Sequence, residues 1–381
     1  MVTEFNFRFG MYTSRALIQE NLPSIREIMY ESGGGKETSS VLVVCDTNTE
    51  PLARAVLGIE PEFPLVVLGS GEPYKTWESV ETILRVGRKA ALARDGLFIG
   101  IGGGVIGDLT AFAASIYMRG VRLCLVSTTL LGMVDASMGG KTGIDLLGLK
   151  NLAGTFYPAG LVFMPLCSLD SLPEKEWKSG MAELIKTAVL DSDDFLKLTK
   201  ELAAFEKGAQ GRNSPAFRSR LMECIARSVS YKGRIVEADP RELGRMRPLL
   251  NLGHTFGHAL ESAAGLGALS HGEAVAWGIA RACELGAALS ITPSARCREI
   301  KEILDSYGYE TAAPHPLASR EDSVEILMQT MRGDKKVKAG KLRFIVPGPE
   351  SAQIVSISEK KSEKNEGENL LRSILKGEYA A

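Results

Sequence analysis

Residues 96–115 read GLFIGIGGGVIGDLTAFAAS. An apolar run, GLFIGIG, passes straight into further glycines, and a helix-forming segment follows at once. Gly102, Gly104 and Gly107 satisfy GxGxxG where a strand hands over to a helix. There glycine lets the backbone turn tightly and lets the amides at a helix N-terminus approach a pyrophosphate. The acidic residue usual about 20 positions on is missing: residue 124 is Cys, and 127–129 are Ser-Thr-Thr. Taken alone, the motif admits a phosphate or dinucleotide site or merely a tight strand–helix turn.

Outward from this segment, short apolar runs alternate with helical patterns. VLVVCD (41–46), FPLVVLG (63–69), VRLCLVS (121–127) and LVFMP (161–165) suit strands buried on both faces of a parallel sheet. TWESVETILRVGRKAALARDG has helical spacing and ends on a glycine fit for a cap. From Pro173 the texture changes. KEWKSGMAELIKTAVL, PAFRSRLMECIARSVSYKGRIVEA, HTFGHALESAA and GEAVAWGIARACELGAALS are helical in pattern, and only KLRFIVP (341–347) reads as a strand. The expectation is an α/β domain over 1–170 and a mostly α-helical domain over 171–381. The tail SEKKSEKNEGEN is expected as a solvated loop before a short last helix, LLRSILKG.

In 381 residues, 45 Lys and Arg oppose 46 Asp and Glu, a net charge of −1. That balance makes no global electrostatic case for nucleic acid or membrane as a partner. Six scattered cysteines without CxxC read as free thiols in a reducing cytoplasm. The start, MVTEFNFRFG, lacks a signal-peptide layout, and no apolar run reaches the ~18 residues of a membrane span.

Polar residues follow several strand ends, where open α/β sheets bind ligands. Asp46 and Asn48 follow VLVVC, GSGEPYK (69–75) follows FPLVVLG, and Thr128 and Thr129 follow VRLCLVS. Each alone is equally an ordinary turn residue. VDASMGGKTGIDLLGLKN (134–151) carries Asp135, Lys141, Lys150 and Asn151. It is not a Walker A loop, and it reads as a flexible anion-holding loop or a solvated connection.

Only four histidines occur, and His254, His258 and His271 fall within eighteen residues, His315 standing apart. If NLGHTFGHALE (251–261) is helical, His254 and His258 share a face. Two imidazoles, a carboxylate and an open position make a catalytic zinc-type site. Glu183 in SGMAELIK is the candidate carboxylate, with Lys186 on the same side. Glu261 and Glu273 are rivals that also suit solvated or capping roles. Lys232, and Arg247 with Asn251 beside an apolar Leu-Leu pair, suit gripping a carboxylate or hydroxyls.

These residues resemble the 3-dehydroquinate synthase family, within the sugar-phosphate cyclases. GEPYK, GGGVIGDL, YMRGVR, STTLL, VDASMGGKTGID, GLKNLAGTFYP, SLPEKEWKSGMAELIK, NLGHTFGHALE, HGEAVAWG and DKK occur in the family's order, across residues 40 to 347. The resemblance implies a Rossmann-like NAD-binding α/β domain, a helical C-terminal domain, an active site in the cleft between them, and a homodimer. It implies a divalent metal, zinc first and cobalt next, held by Glu183, His254 and His271, with His258 on the substrate side. It implies substrate contacts from Asp135, Lys141, Lys150, Asn151, Lys186, Lys232, Arg247, Asn251 and one of Lys335 or Lys336, with Arg119 reaching a phosphate across the dimer. NAD contacts would come from Asp46, Asn48, Glu72, Lys75, Gly104, Val105, Ile106, Gly107, Asp108, Thr128 and Thr129, with Lys141 and Lys150 beside them.

The activity implied is conversion of the sugar phosphate 3-deoxy-D-arabino-heptulosonate 7-phosphate to 3-dehydroquinate and phosphate. Its course is transient oxidation by NAD, phosphate elimination, re-reduction and an intramolecular aldol closure. Asp145 stands where many members carry Asn, Met138 replaces a usual Val, and RMRP has an extra residue before Arg247. Asp145 is expected either to weaken anion binding or to pair with Lys141. Rival readings are another sugar-phosphate cyclase, a metal-dependent NAD-linked polyol dehydrogenase, or a non-enzymatic nucleotide-binding scaffold.

Overall fold

Strands fully buried along their length need helices on both faces, and the chain supplies them by alternating the two. The computed structural model describes residues 2–33, 40–58, 63–208, 211–265, 268–318, 320, 322–333, 341–358 and 364–379. Contacts divide the chain into two units: Met1–Trp177 with Val229–Leu243, and Lys178–Ser228 with Gly244–Ala381.

The first unit holds strands β1 (Val2–Phe9), β2 (Tyr12–Gln19), β3 (Val41–Asp46), β4 (Leu65–Leu68), β5 (Leu97–Gly102), β6 (Arg122–Ser127), β7 (Lys141–Leu146), β8 (Leu149–Phe156) and β9 (Leu161–Pro165). Its helices are α1 (Ile25–Ser32), α2 (Glu50–Leu57), α3 (Trp77–Lys89) and α4 (Gly104–Ile116). Helix α5 (Glu174–Asp191) leads into the second unit, α6 (Asp193–Glu206) follows, and α7 (Pro215–Ala238) returns to the first. The second unit continues with α8 (His254–Ala264), α9 (His271–Ala288), α10 (Ser294–Ser306), α11 (Ser323–Gly333), β10 (Lys341–Val346), β11 (Gln353–Ser358) and α12 (Lys364–Lys376).

The main sheet has the order β1-β2-β9-β6-β5-β3-β4, with β1 antiparallel to β2 and the remaining pairs parallel. From β3 the chain steps outward to β4, then returns to β5 on the other side of β3. That reversal is the topological switch point, where ligands bind beyond the carboxyl ends of strands. Asp46, the glycines from Gly102, and Ser127 stand at the carboxyl ends of β3, β5 and β6.

Three features of the first unit depart from the sequence reading. The β1–β2 hairpin was not foreseen. The segment 134–151 is a built element and not a flexible loop: a π-helical turn, Gly132–Ala136, leads into the β7–β8 hairpin. Leu147 and Gly148, at φ 53° and 74°, form its two-residue turn with the positive-φ pair that such a tight hairpin demands. And a single boundary at 170/171 differs from the observed division, since residues 229–243 belong with the first unit. The phenyl ring of Phe7 sits where a side chain at Gly233 would be, and the Arg8 amide donates to Glu237 at 2.8 Å. Periodicity shows that α7 is a helix but not what each half packs against.

In the second unit α9 is buried nearly throughout, its one buried charged pair, Arg281 with Glu284, closed at 2.9 Å. Its approach to α8 is unusually close. A Cβ on Gly257 would lie 2.8 Å from the Ala274 carbonyl oxygen, and one on Gly278 would run into the carbonyl oxygen of Gly253. Gly253 itself adopts φ 80° to start α8. The charged tail is helical from Lys364, earlier than expected, because Leu371, Ile374 and Leu375 bury one face and Glu368 holds Arg332 at 2.7 Å. Helix α3 likewise ends at Lys89, before the expected glycine, with Ala91 taking the positive φ. Among the described residues no helix is long and apolar enough to cross a membrane.

Gly278→Ala forces α8 off α9. Urea unfolding is expected to show a loss of about 1–3 kcal/mol, whereas an unchanged midpoint would mean that the close approach is not needed.

Candidate active site

Helix α5 carries Glu183 and Lys186 one turn apart, both fully buried. Neither carboxylate oxygen of Glu183 has a hydrogen-bond partner. Instead it forms an ion pair with Lys186 and faces two imidazoles, His271 Nε2 at 3.3 Å and His254 Nε2 at 3.6 Å. Burial works against its charge, but the Lys186 ammonium and the two imidazoles hold the carboxyl well below its usual range. Burial keeps His254 neutral, its pKa well below the ordinary value. His271 is different: burial opposes its charging, yet Glu183 and Glu261 outweigh burial and raise it to about 10.

The local sequence explains the convergence. Gly253 turns the chain so that His254 opens α8, while Ser270 and Glu273 form a capping box that starts α9 at His271. Glu273, one of the rival carboxylates, is therefore a cap. His254 Nδ1 lies 3.1 Å from the Leu252 carbonyl oxygen, which accepts its N–H and leaves the Nε2 lone pair to ligate. Glu183, His254 and His271 place one ligand atom each within 4.8 Å of one another. An orphaned buried carboxylate with two imidazole nitrogens fits a divalent ion of the zinc type. The ring of His258 lies 5.3 Å from that of His254 and 6.1 Å from that of His271. Arg247, buried, and Asn251, half-buried, begin and end the 3-10 turn just before α8. His315 stays a core residue: buried, packed edge-on against Trp277, its Nδ1 accepting the Leu317 amide at 3.1 Å.

In the first unit a recess at the switch point is lined by Gly100, Gly102, Gly104, Gly107, Ser127 and Ser137 among others. A Cβ on Gly102 would lie 2.7 Å from Ile106 Cβ, and one on Gly103 2.9 Å from Thr129 Cγ2. These glycines are required for close packing as well as for any ligand. Ile106 is core, so only its backbone is available to a cofactor. The hydroxyls of Ser127 and Thr128 are buried without a partner, while Thr129 Oγ1 accepts the Gly132 amide at 3.0 Å. Two orphaned hydroxyls beside a helix N-terminus fit an anionic cofactor group. Asp46 is engaged, its carboxylate capping the turn through the Asn48 and Thr49 amides at 3.0 and 2.8 Å.

The remaining charged groups of this unit are joined to one another. Lys75, buried, reaches Asp108 at 2.6 Å and Asn151 Oδ1 at 2.5 Å. Burial raises the Asp108 pKa, with Lys75 opposing. Lys232 donates to the Asp135 carbonyl and carboxylate at 2.6 and 2.7 Å, on the π-helical turn. Lys141 pairs with Glu242 and not with Asp145. Asp145 instead accepts the Asn151 amide at 2.8 Å, which holds Asn151 at φ 53°. Glu72 starts the short turn before Lys75, Lys150 is exposed on β8, and Arg119 is exposed at φ 69°. Lys335 and Lys336 lie outside the described residues.

Known proteins match most of the chain. Residues 65–179 match 3-dehydroquinate synthase N-terminal and residues 180–337 match 3-dehydroquinate synthase C-terminal. The 3-dehydroquinate synthase of Prochlorococcus marinus (strain MIT 9313) is 38% identical over 321 residues, 82% of each chain. The chain belongs to the 3-dehydroquinate synthase family. Among solved structures, 2-deoxy-scyllo-inosose synthase complexed with carbaglucose-6-phosphate, NAD+ and Co2+ shares the fold at TM-score 0.78 and 21% identity, covering 99% of this chain and 100% of its own. So does 2-epi-5-epi-valiolone synthase from Streptomyces hygroscopicus subsp. jinggangensis 5008, with NAD+ and Zn2+ bound, at TM-score 0.77 and 23% identity, over 96% and 98%.

For a member of this family, the sequence leaves Ser127 and Glu242 unassigned, and names Glu261 only as a rival carboxylate for the metal. Ser127 was seen only as part of Ser-Thr-Thr, although a serine ending a strand beside three glycines is a readable signal. Glu242, partner of Lys141, and Glu261, facing His271 at 3.6 Å, depend on tertiary placement that no spacing reveals.

Lys186→Met is expected to destabilise the metal-free protein by about 3 kcal/mol, the low end for breaking a buried pair, because His271 shares the charge. Glu183→Leu with Lys186→Leu should cost less than the single change. Urea unfolding with both variants checks this, and additive losses would contradict it.

Proposed function

We propose that the chain is a 3-dehydroquinate synthase, a phosphate-eliminating carbon–oxygen lyase dependent on NAD and a divalent metal. It converts 3-deoxy-D-arabino-heptulosonate 7-phosphate to 3-dehydroquinate and phosphate, in the shikimate route to aromatic amino acids. The observation that carries this reading is the convergence of His254 and His271 on the orphaned carboxylate of Glu183, in a chain 38% identical to a 3-dehydroquinate synthase. When bound, NAD supplies a reversible oxidation that acidifies a neighbouring C–H, and zinc or cobalt polarises the oxygen concerned.

The protein's own groups bind, orient and move protons. Glu183, His254 and His271 hold the metal. His258, beside them and half-buried, is the residue placed to carry a proton. Lys186, Arg247 and Asn251 hold carboxylate and hydroxyls, with Arg247 giving the planar fork that suits a carboxylate. Asp135, Lys141, Lys150, Asn151 and Lys232 orient the substrate and balance its phosphate. The cofactor groups are Asp46, Asn48, Glu72, Lys75, the Gly104–Asp108 turn, Thr128 and Thr129, to which Ser127 is added. Asp145 is occupied by the Asn151 amide, which argues against its repelling an anionic substrate. So many cationic groups exceed what a small polyol needs, which favours the cyclase over a dehydrogenase.

A homodimer and a cytoplasmic setting complete the proposal. The β7–β8 hairpin exposes Leu147 at 85% and Leu149 at 51%, with Leu146 and Leu152 also exposed. A hairpin with such a face is normally covered, and a second copy, with Arg119 contributed across the contact, is the occupant that we infer. All six cysteines are free, as a reducing compartment requires. Sedimentation equilibrium reads the dimer directly.

With catalytic NAD and zinc, phosphate release from the substrate is expected without net NADH, is lost on chelation, and falls by at least ~100-fold in His254→Ala. Net NADH from a simple polyol would favour the dehydrogenase instead.

A further inference from the structure

His271 presents both ring nitrogens to carboxylates. Its Nε2 lies 3.3 Å from Glu183, on the side of the ligand cluster, and its Nδ1 lies 3.6 Å from Glu261 Oε1. Without a metal the ring donates to both carboxylates as the cation, whereas a neutral imidazole has one N–H and one lone pair and can donate to only one of them. With Nδ1 protonated toward Glu261, Nε2 is free to ligate. His254 follows the same plan with a different partner, its Nδ1 N–H facing the Leu252 carbonyl. The two imidazoles thus turn the same nitrogen toward Glu183.

We propose that Glu261 is a positioning residue for the metal centre, fixing the tautomer and ring orientation of His271 and adding charge to its donor nitrogen. This rests on the metal assignment made above. Glu261 is three residues beyond His258 and seven beyond His254 on α8, the face that carries both imidazoles. It is half-buried at 23% side-chain exposure, against 1% for Glu183. That difference separates their roles: Glu183 is enclosed with the ligand atoms, whereas Glu261 stands outside them. At 3.6 Å the contact is an ion pair and longer than a formed hydrogen bond. Carboxylate partners of this kind are common behind metal-bound histidines, and removing one weakens metal binding about 10–100-fold.

The test is zinc affinity by chelator competition for wild type, Glu261→Ala, Glu261→Gln and His271→Ala, with melting of the metal-free proteins and visible spectra of cobalt-loaded ones. Glu261→Ala should bind zinc about 10–100-fold more weakly and shift the cobalt bands, with metal-free melting lowered only slightly because Glu183 still faces the charged His271. Glu261→Gln, whose amide oxygen still accepts from Nδ1, should recover part of the affinity. Wild-type affinity in Glu261→Ala while His271→Ala loses zinc would overturn this inference alone. Equal binding by His271→Ala and wild type would sink the metal assignment itself. Two ions per wild-type chain and one in Glu261→Ala would also overturn it, making Glu261 a ligand of a second ion with His258 and His271.

Discussion

A carboxylate buried without a hydrogen-bonding partner is among the most costly arrangements a folded chain can hold. Glu183 is such a group, and the helical unit is organised around compensating it. Lys186 does so from the same helix, His254 from the start of α8 and His271 from the start of α9. The two histidine-bearing helices reach it because Gly253, Gly257 and Gly278 let their backbones meet. A capping box and a left-handed glycine then fix where each helix begins, and so where each imidazole points. Packing, capping and charge compensation are here parts of one device.

The α/β unit handles charge in the opposite way. Three of its candidate site lysines carry partners of their own: Lys75 with Asp108 and Asn151, Lys232 with Asp135, Lys141 with Glu242. An anionic ligand arriving there competes with groups that already orient these ammonium heads. Beside the glycine turn, the buried hydroxyls of Ser127 and Thr128 stand without a hydrogen-bond partner. At these three lysines charge is balanced within the fold, and the two hydroxyls add neutral polar atoms beside the glycine turn.

Much of this was legible in the sequence because the signals were local. Runs such as VLVVCD and LVFMP could only be buried strands, and the crowding of His254, His258 and His271 pointed to one site. Glu183 was readable as an odd carboxylate in an apolar helix. What stayed hidden depends on partners distant in sequence. The β1–β2 hairpin earns its place by pairing β2 with β9. The return of residues 229–243 to the first unit turns on Phe7 filling the space over Gly233. Glu261 and Glu273 read alike in the sequence, as rival carboxylates or as solvated or capping residues; the fold separates them, bringing His271 beside Glu261 and closing Glu273 onto Ser270.

The most direct measurement is anomalous diffraction at the zinc edge from crystals of the zinc-loaded protein. One peak is expected about 2.0–2.2 Å from Glu183 Oε1, His254 Nε2 and His271 Nε2. A peak held by other residues, or none at this cluster, would contradict the claim that the helical unit is built to turn a buried carboxylate into a metal centre.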